Sequence, residues 1–474
     1  MIRAYRVDDI RAAEAAAMSG LADGELMKRA ARGLADALAD IPAGEVVLVL
    51  AGPGDNGGDA LYAAKHLLDR GVRVDIAQLD PARVHGAALE AAVSAGGQLV
   101  DQPGGQRWCL DGLFGIGARG GLSGRAAEWA AWASSSQVVT IAVDVPSGID
   151  VDGGTLSGPG GTARGENLAS SRGNVVADRT VTFGTYKVGL LVGPAADAAG
   201  DVTFVDIGLV LAEPQIEAIE PSDRWILAPA LPSARGHKYT RGVVGVAAGS
   251  DRYPGAAHLV VAGAQSATAG MVRFAGSAAL GARVVDRAPE VVLAPGRVQA
   301  WVVGPGGGAG TSDQLATALA DRVPTVIDAD ALGALPTTLE VPAVLTPHAG
   351  ELAAMLGTSR EAIEADPLGS VTTAVERWGC TVLLKGRRTL VATPGRPTRV
   401  NLSGTPWLGT AGSGDVLAGL VGSLLASGLD THDAASLGAY LHGRAAECLG
   451  GPLTAGDLAA TLPKVITEFG GGVS

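Results

Sequence analysis

Cysteine is scarce. Cys109, Cys380 and Cys448 are the only three in 474 residues, widely scattered and odd in number. That excludes a disulfide framework and a cysteine-based metal spacing, and it fits a reducing compartment. A cytoplasmic location is therefore expected. The sequence has no uninterrupted, strongly apolar run of about 18 residues or more, so no membrane span is expected. Met1–Asp9 carries charges where a signal peptide would carry an apolar stretch. Basic residues are also in deficit: 36 Lys and Arg stand against 48 Asp and Glu, a net charge of −12, with a pI near 5.1. That balance argues against nucleic acid or an acidic membrane surface as the main partner.

What is present belongs to a folded protein. Hydrophobic residues make up 47%, enough for a core. The length is too great for one ordinary core, so two or three domains are expected. Seventy glycines and 25 prolines supply the tight connections that alternating strand–helix folds need.

In chain order, residues 12–38 read as one helix, with Met27, Ala30, Ala31, Leu34 and Leu38 at helical spacing. Glu45–Ala51 reads as a buried strand. Gly52–Asp59 (GPGDNGGD) then reads as a glycine-rich loop before a helix through Leu61, Ala64, Lys65 and Leu68. With the next strand, residues 72–79, this makes a βαβ unit. The loop is neither the GxGxxG fingerprint nor a Walker loop, but it falls at a strand end, where open parallel sheets bind ligands. Two further apolar runs end in carboxylates: Asp111, before Gly115-Ile116-Gly117, and Asp144, in Asp144-Val145-Pro146-Ser147. One such carboxylate is often a helix cap; two beside the Asn56 loop suggest a polar site. Val151–Ala177 reads as a long, partly mobile excursion. Lys187 ends the strand at 180–183, and taken alone it reads as a snorkelling surface lysine. The proline- and acid-rich stretch around Pro214–Ser222 is the best linker candidate. The second half repeats the strand–helix alternation. Its strands end at Gly249, Gly304, Asp328, Thr346-Pro347-His348 and Lys385-Gly386, with a closing amphipathic helix at 434–448.

The most informative stretch is Gly409–Leu417 (GTAGSGDVL). Small residues lead to a single carboxylate, Asp415, and an apolar helical pattern follows. A helix mouth of this kind offers unpaired N–H groups and a positive dipole end to a phosphate. A carboxylate there suits proton abstraction from a hydroxyl that attacks phosphorus. Capping a buried helix is the other use for the same residues. Likewise His348 could contact a substrate or cap a helix.

The set AAGSDRYPGAA (residues 247–257), VVGPGGG, DADAL, LTPHAGEL, LLKG, GTAGSGDVLAGL and YLHGRAAE resembles the ribokinase-like superfamily. Within it the set is closest to the ADP/ATP-dependent NAD(P)H-hydrate dehydratases. DNGGDA, LDGLFGIG, VDVPSGID and TFGTYKVGLL resemble the NAD(P)H-hydrate epimerase domain, which bacteria commonly fuse in front of that dehydratase. The departures are Asp55 and Ala60, where that family's loop usually reads NNGGDG, and Ala411 and Ser413, where the dehydratase loop is usually similar to GGTGD.

The resemblance implies an α/β protein, with a Rossmann-like three-layer α/β/α domain at residues 1–213, a linker at 214–224 and a ribokinase-like α/β domain at 225–474. It implies epimerisation of hydrated NADH and NADPH, then ADP-dependent dehydration of the S form. Asp415 would be the general base, with Asp144 and Lys187 serving epimerisation. The epimerase substrate would lie against Asp55, Asn56, Gly57, Gly58, Asp59, Gly115, Ile116, Gly117 and Asp144. The hydrate would meet Ala257, Gly306, His348 and Asp415 in the second half. The nucleotide would border Lys385, Gly386, Arg387, Arg388, Thr389 and Gly414. Mg²⁺ would shield the phosphates, and K⁺ would sit on Asn56, Asp111 and Ser147. A homo-oligomer is expected. A ribokinase-type small-molecule kinase with a non-catalytic first half, or a first half that only binds, remain alternatives at this point.

Overall fold

The computed structural model describes residues 1–156 and 173–471. Most of the excursion expected at 151–177 lies outside them. The chain divides into two compact units, Arg3–Ile216 and Glu217–Ser474, the second also taking Met1–Ile2.

The first unit contains β1 (Ile2–Tyr5), β2 (Val46–Ala51), β3 (Arg73–Gln78), β4 (Gln98–Val100), β5 (Trp108–Gly112), β6 (Val139–Val143), β7 (Arg179–Phe183), β8 (Tyr186–Lys187) and β9 (Asp201–Val205). Seven of them form one sheet in the order β4-β3-β2-β5-β6-β7-β9, with every pairing parallel. Strand alternation sorts the core onto two faces. Val47 and Val49 join Leu34, Leu38, Leu61 and Ala64 on one face. Leu48 and Leu50 join Trp129 and Ala133 on the other. Helices thus cover both faces, giving the three-layer arrangement. The strand order turns back between β2 and β5, and that reversal opens a crevice at their carboxyl ends.

Three local expectations change here. The helix expected over 12–38 is two, Val7–Met18 and Glu25–Ala37; the first ends at Ser19, and Gly24, at φ 73°, caps the start of the second in a conformation that no helix interior holds. The glycine-rich run is not all loop, since the helix begins at Asp55 and runs to Asp69. Its glycines serve close packing: a Cβ on Gly57 would lie 2.3 Å from the Gly52 carbonyl oxygen. Lys187 does not snorkel; it is 1% exposed.

In the second unit, β10 (Ile216–Ala218) is followed by β11 (Val243–Ala247), β12 (Met271–Phe274), β13 (Ala300–Val303), β14 (Thr325–Ile327), β15 (Ala343–Leu345), β16 (Thr381–Leu384), β17 (Thr389–Ala392) and β18 (Thr398–Asn401). The order runs β12-β11-β13-β14-β15-β16-β17-β18. It is parallel as far as β16 and antiparallel from there through β18. The stretch expected as a linker therefore holds a short strand, and Glu217 reaches 3.3 Å from buried Arg399. The helix at Thr431–Leu449 is not the last: Ala455–Gly470 follows, opened by a Thr454–Asp457 capping box that its Pro463 does not interrupt. The helices Pro254–Gln265 and Ser413–Ala426 cross at small residues. A Cβ on Gly419 would meet the Val260 carbonyl at 2.1 Å, so the backbones touch there. Among the described residues, no helix is long and apolar enough to cross a membrane.

Candidate active sites

In the first unit a cavity of about 690 Å³ lies at the crevice, with Glu14, Asp55, Asn56, Phe114 and Asp144 among its walls. Gly115, Ile116 and Gly117 form part of its rim. Asn56, Gly57 and Gly58 occupy the first turn of the Asp55–Asp69 helix and are buried. That turn directs helix-end N–H groups toward the strand ends.

Asp144 has a φ of 64°, a backbone state that costs a non-glycine residue energy and that recurs at functional sites. Its Oδ1 accepts from the Phe183 amide at 3.1 Å and pairs directly with Lys187. Lys187 also donates to Thr182 Oγ1 at 2.9 Å and to the Phe183 carbonyl at 2.8 Å. All three ammonium protons thus have partners, which allows a full charge to remain buried.

Asp59 stands nearby with a buried, unpartnered Oδ1. Burial, then the Asp144, Asp55 and Glu14 carboxylates, push its carboxyl well above the usual range, with Lys187 opposing. Glu14 is raised by burial and by Asp144.

The expected cation ligands also gather. Ser147 donates its amide and hydroxyl to the two Asp111 oxygens at 2.8 and 2.7 Å. The Phe114 amide donates to Ser147 Oγ at 2.9 Å. Burial pushes Asp111 up to about 6, while the Ser147 and Leu113 donors hold it down. The Asn56 side chain lies against Gly115, and its Nδ2 is buried without a partner. Turning that amide over would present an oxygen instead. An oxygen-rich donor set with one orphaned amide fits a hard monovalent cation better than zinc.

In the second unit Asp415 lies in the first turn of the Ser413–Ala426 helix. Gly412 caps it at φ 85°, and a Cβ there would strike Leu259 at 2.3 Å; only glycine serves. Lys385, at the end of β16, places its ammonium beside Gly414, 3.5 Å from where a Cβ would stand. The ammonium donates to Asp328 at 2.8 Å and lies 3.8 Å from Glu351. Burial alone would lower the Lys385 pKa, but Asp328 and Glu351 carry it above the usual value. Asp415 is different. Burial first, then the Asp328 carboxylate, raise it to about 7, with Lys385 opposing.

His348 caps the Ala349–Leu356 helix. Its Nδ1 accepts the Glu351 amide at 3.0 Å, and Glu351 accepts the His348 amide at 2.7 Å. That leaves Nε2 as the ring's open edge, 3.6 Å from Glu351 Oε1. Ala257 is buried and packs against Gly249, while Gly306 packs against Tyr253 and Ala256, so these loops lie side by side. Gly386, Arg387 and Arg388 form the β16–β17 turn, and Thr389 begins β17.

Sequence reasoning gave no role to Glu14, Asp328 or Glu351. Asp328 was findable by the signal used for Asp111 and Asp144, a carboxylate closing an apolar strand. Glu14 was not, because the 12–38 stretch was read only for its apolar face.

Each unit is thus an open α/β fold with a carboxylate and a lysine at its strand ends, and the second adds a glycine-lined helix mouth of the kind that suits an anion. This is the build of an enzyme acting on phosphate-bearing metabolites. The NAD(P)H-hydrate dehydratase family model matches residues 244–468, and the model for the YjeF-related protein N-terminus matches residues 23–189. The bifunctional NAD(P)H-hydrate repair enzyme Nnr of Mycobacterium leprae (strain TN) is 42% identical, covering 98% of each chain. The Mycobacterium tuberculosis H37Rv protein of the same name is 43% identical over 91% of each. The ADP/ATP-dependent NAD(P)H-hydrate dehydratase of Bacillus subtilis, co-crystallised with ATP and Mg²⁺, is 27% identical. It covers 52% of this chain and 97% of its own, at a TM-score of 0.49. The chain belongs to the family of bifunctional NAD(P)H-hydrate repair enzymes.

Proposed function

We propose that this chain repairs NADH and NADPH that have taken up water across a nicotinamide ring double bond. The first unit interconverts the R and S hydrates. The second dehydrates the S form, using ADP and releasing AMP and phosphate. The observation that carries the reading is Asp415: a carboxylate raised to about 7, at a helix mouth, with a lysine ammonium beside the preceding glycine.

In the second unit Asp415 takes the proton of the ring hydroxyl. The hydroxyl oxygen attacks the terminal phosphorus of ADP, and the bond to the bridging oxygen breaks, releasing AMP. The new phosphate ester leaves carbon with its electron pair. A proton is lost from the neighbouring carbon, and the dihydronicotinamide returns. Lys385 and the amide of Gly414 receive the phosphoryl charge. Gly386, Arg387, Arg388 and Thr389 border the nucleotide. Ala257, Gly306 and the open edge of His348 border the hydrate. No group of three or more His, Cys, Asp or Glu side chains suited to a metal occurs among the described residues. Mg²⁺ would therefore be held by one or two carboxylates, Asp328 and Glu351 being those at hand, together with phosphate oxygens; it supplies charge neutralisation.

In the first unit Asp144 moves the proton at the ring hydroxyl during reversible ring opening. Lys187 pairs with Asp144 and keeps it oriented. The helix start from Asp55 to Asp59 and the Gly115-Ile116-Gly117 rim receive the dinucleotide. Asn56, Asp111 and Ser147 would hold K⁺, which supplies fixed positive charge beside the crevice.

The test is the near-ultraviolet absorbance of the dihydronicotinamide. Mixed epimers of hydrated NADH with ADP and Mg²⁺ should regain it fully. Regain that stops when the S epimer is spent would remove epimerisation from the reading. A stable phosphorylated product without regain would replace the reading with a kinase.

A further inference from the structure

The cavity of the first unit is short of positive charge. Six carboxylates stand in its walls, those of Glu14, Asp23, Glu25, Asp55, Asp59 and Asp144, against the two guanidinium groups of Arg11 and Arg83. Lys187 does not correct the balance, because its ammonium is already bonded to Asp144, Thr182 and Phe183. The helix start beside the cavity supplies less than its dipole would. Asp55 stands in the first turn, where a carboxylate offsets the positive end. A dinucleotide is anionic at its pyrophosphate, so another group in the wall must meet that charge.

Arg11 is placed to do so. It lies on the Val7–Met18 helix, where residues 11, 14 and 18 turn one stripe toward the cavity. Its Nη2 stands 3.0 Å from where a Cβ on Gly117 would lie, so the guanidinium rests against the Gly115-Ile116-Gly117 rim, and any side chain at 117 would crowd it. Glu14 is one turn along the same face, yet among the described residues Arg11 has no ion pair or hydrogen bond. Among the same residues the amides of Gly115, Ile116 and Gly117 donate to nothing in the chain. Consecutive free amides beside a free guanidinium form a cradle for an anion.

We infer that Arg11 binds the pyrophosphate of the hydrated dinucleotide, together with the amides of the Gly115–Gly117 rim. The inference rests on the epimerase reading of the first unit and gives that reading its phosphate contact. The planar fork of arginine spans two phosphate oxygens at once. A pyrophosphate held at the rim leaves the nicotinamide end of the ligand to reach Asp144, in the wall of the same cavity.

The test compares Arg11→Ala with Arg11→Lys in the full chain. Epimerisation is followed from the R hydrates of NADH and of NADPH, by the absorbance regained on dehydration. Arg11→Ala should raise KM for both R hydrates by roughly 10–10²-fold, with kcat, dehydration of the S hydrate and Tm kept. Arg11→Lys keeps the charge and loses the fork, so its KM should fall between those of the parent and Arg11→Ala. Unchanged KM for both hydrates overturns the inference, as does a fall in kcat with KM kept. A loss confined to the NADPH hydrate moves Arg11 to the ribose phosphate and overturns the pyrophosphate assignment. Equal impairment of both variants with a lowered Tm shows a structural arginine and overturns it too. A parent chain that does not interconvert the epimers fails the epimerase reading. Calorimetric titration of the parent and Arg11→Ala with NAD⁺ then decides Arg11 by itself: weaker binding by the variant upholds the contact, and equal binding removes it.

Discussion

Both units bring a carboxylate and a lysine together, the first at strand ends and the second with Asp415 at a helix mouth and Lys385 at a strand end, and wire them oppositely. In the first, Asp144 and Lys187 pair with each other, and Lys187 is 1% exposed with every proton used. In the second, Lys385 is given to Asp328 and Glu351, and Asp415 is left beside them, raised to about 7. A lysine bound directly to the working carboxylate fixes its position. A lysine bound to a second carboxylate leaves the first a weaker acid, stronger as a base once it has lost its proton. The first wiring suits a reversible proton shuttle within one molecule. The second suits a base that acts once, while the lysine waits for phosphate.

The sharpest break in this comparison is Asp415→Asn. Dehydration of the S hydrate should fall by about 10²–10⁴-fold, with ADP binding and epimerisation kept. In the parent, kcat/KM for dehydration should rise as pH passes through about 7, since Asp415 must be ionised to accept a proton. A flat profile across that range, or near-normal turnover by the variant, would remove Asp415 from the base role.

Next comes Asp144, where two substitutions separate chemistry from stability. Asp144→Asn keeps an acceptor for the Phe183 amide and should stop R-to-S conversion while sparing dehydration. Asp144→Ala strands Lys187 in the interior, and breaking a buried pair in that way costs about 3–5 kcal/mol. A calorimetric scan should therefore show the first unit melting early in the alanine variant. If Asp144→Asn epimerises normally, the pair is structural.

Lys385→Met tests the other wiring. Losing a charged donor to phosphate should weaken ADP binding by about 10–100-fold. Because Lys385 opposes the upward shift of Asp415, the acid limb of the dehydration profile should also move to higher pH. An unmoved limb would mean that the two groups do not sense each other.

Most of the architecture was readable from strand and helix periods because both sheets are buried on two faces, where apolar runs leave little ambiguity. The carboxylates at Asp111 and Asp144 were readable because they end such runs, and Asp415 because a run of small residues leads to it and an apolar helical run follows. Three things were not. The state of Lys187 depends on Thr182, Phe183 and Asp144 closing around it, a tertiary fact invisible in Thr185-Tyr186-Lys187. The break at 19–24, between the Ser19 end of one helix and the Gly24 start of the next, is hidden inside a good apolar spacing. His348 shows the limit from the other side: its use as a cap follows from Glu351 three residues on, whereas any contact it makes with substrate depends on the one nitrogen the cap leaves over.

The smallest effect is on stability, and its sign is informative. Asp415 titrates near 7 in the folded chain against an ordinary value of 3.8. A carboxyl raised in this way contributes its stability below the ordinary value, and loses it as pH climbs through about 7, where the buried charge must form. Asp415→Asn carries no such charge. At pH 8 the variant should therefore melt a few degrees above the parent, at about 2–4 °C per kcal/mol for a domain of this size. The difference should vanish at acid pH. Asp144→Asn should do the opposite at pH 8, lowering the melting point of its unit, because there the charge removed was paired. Shifts of the same sign in both variants would show that the two carboxylates are held alike, and the contrast between the sites would fall with them.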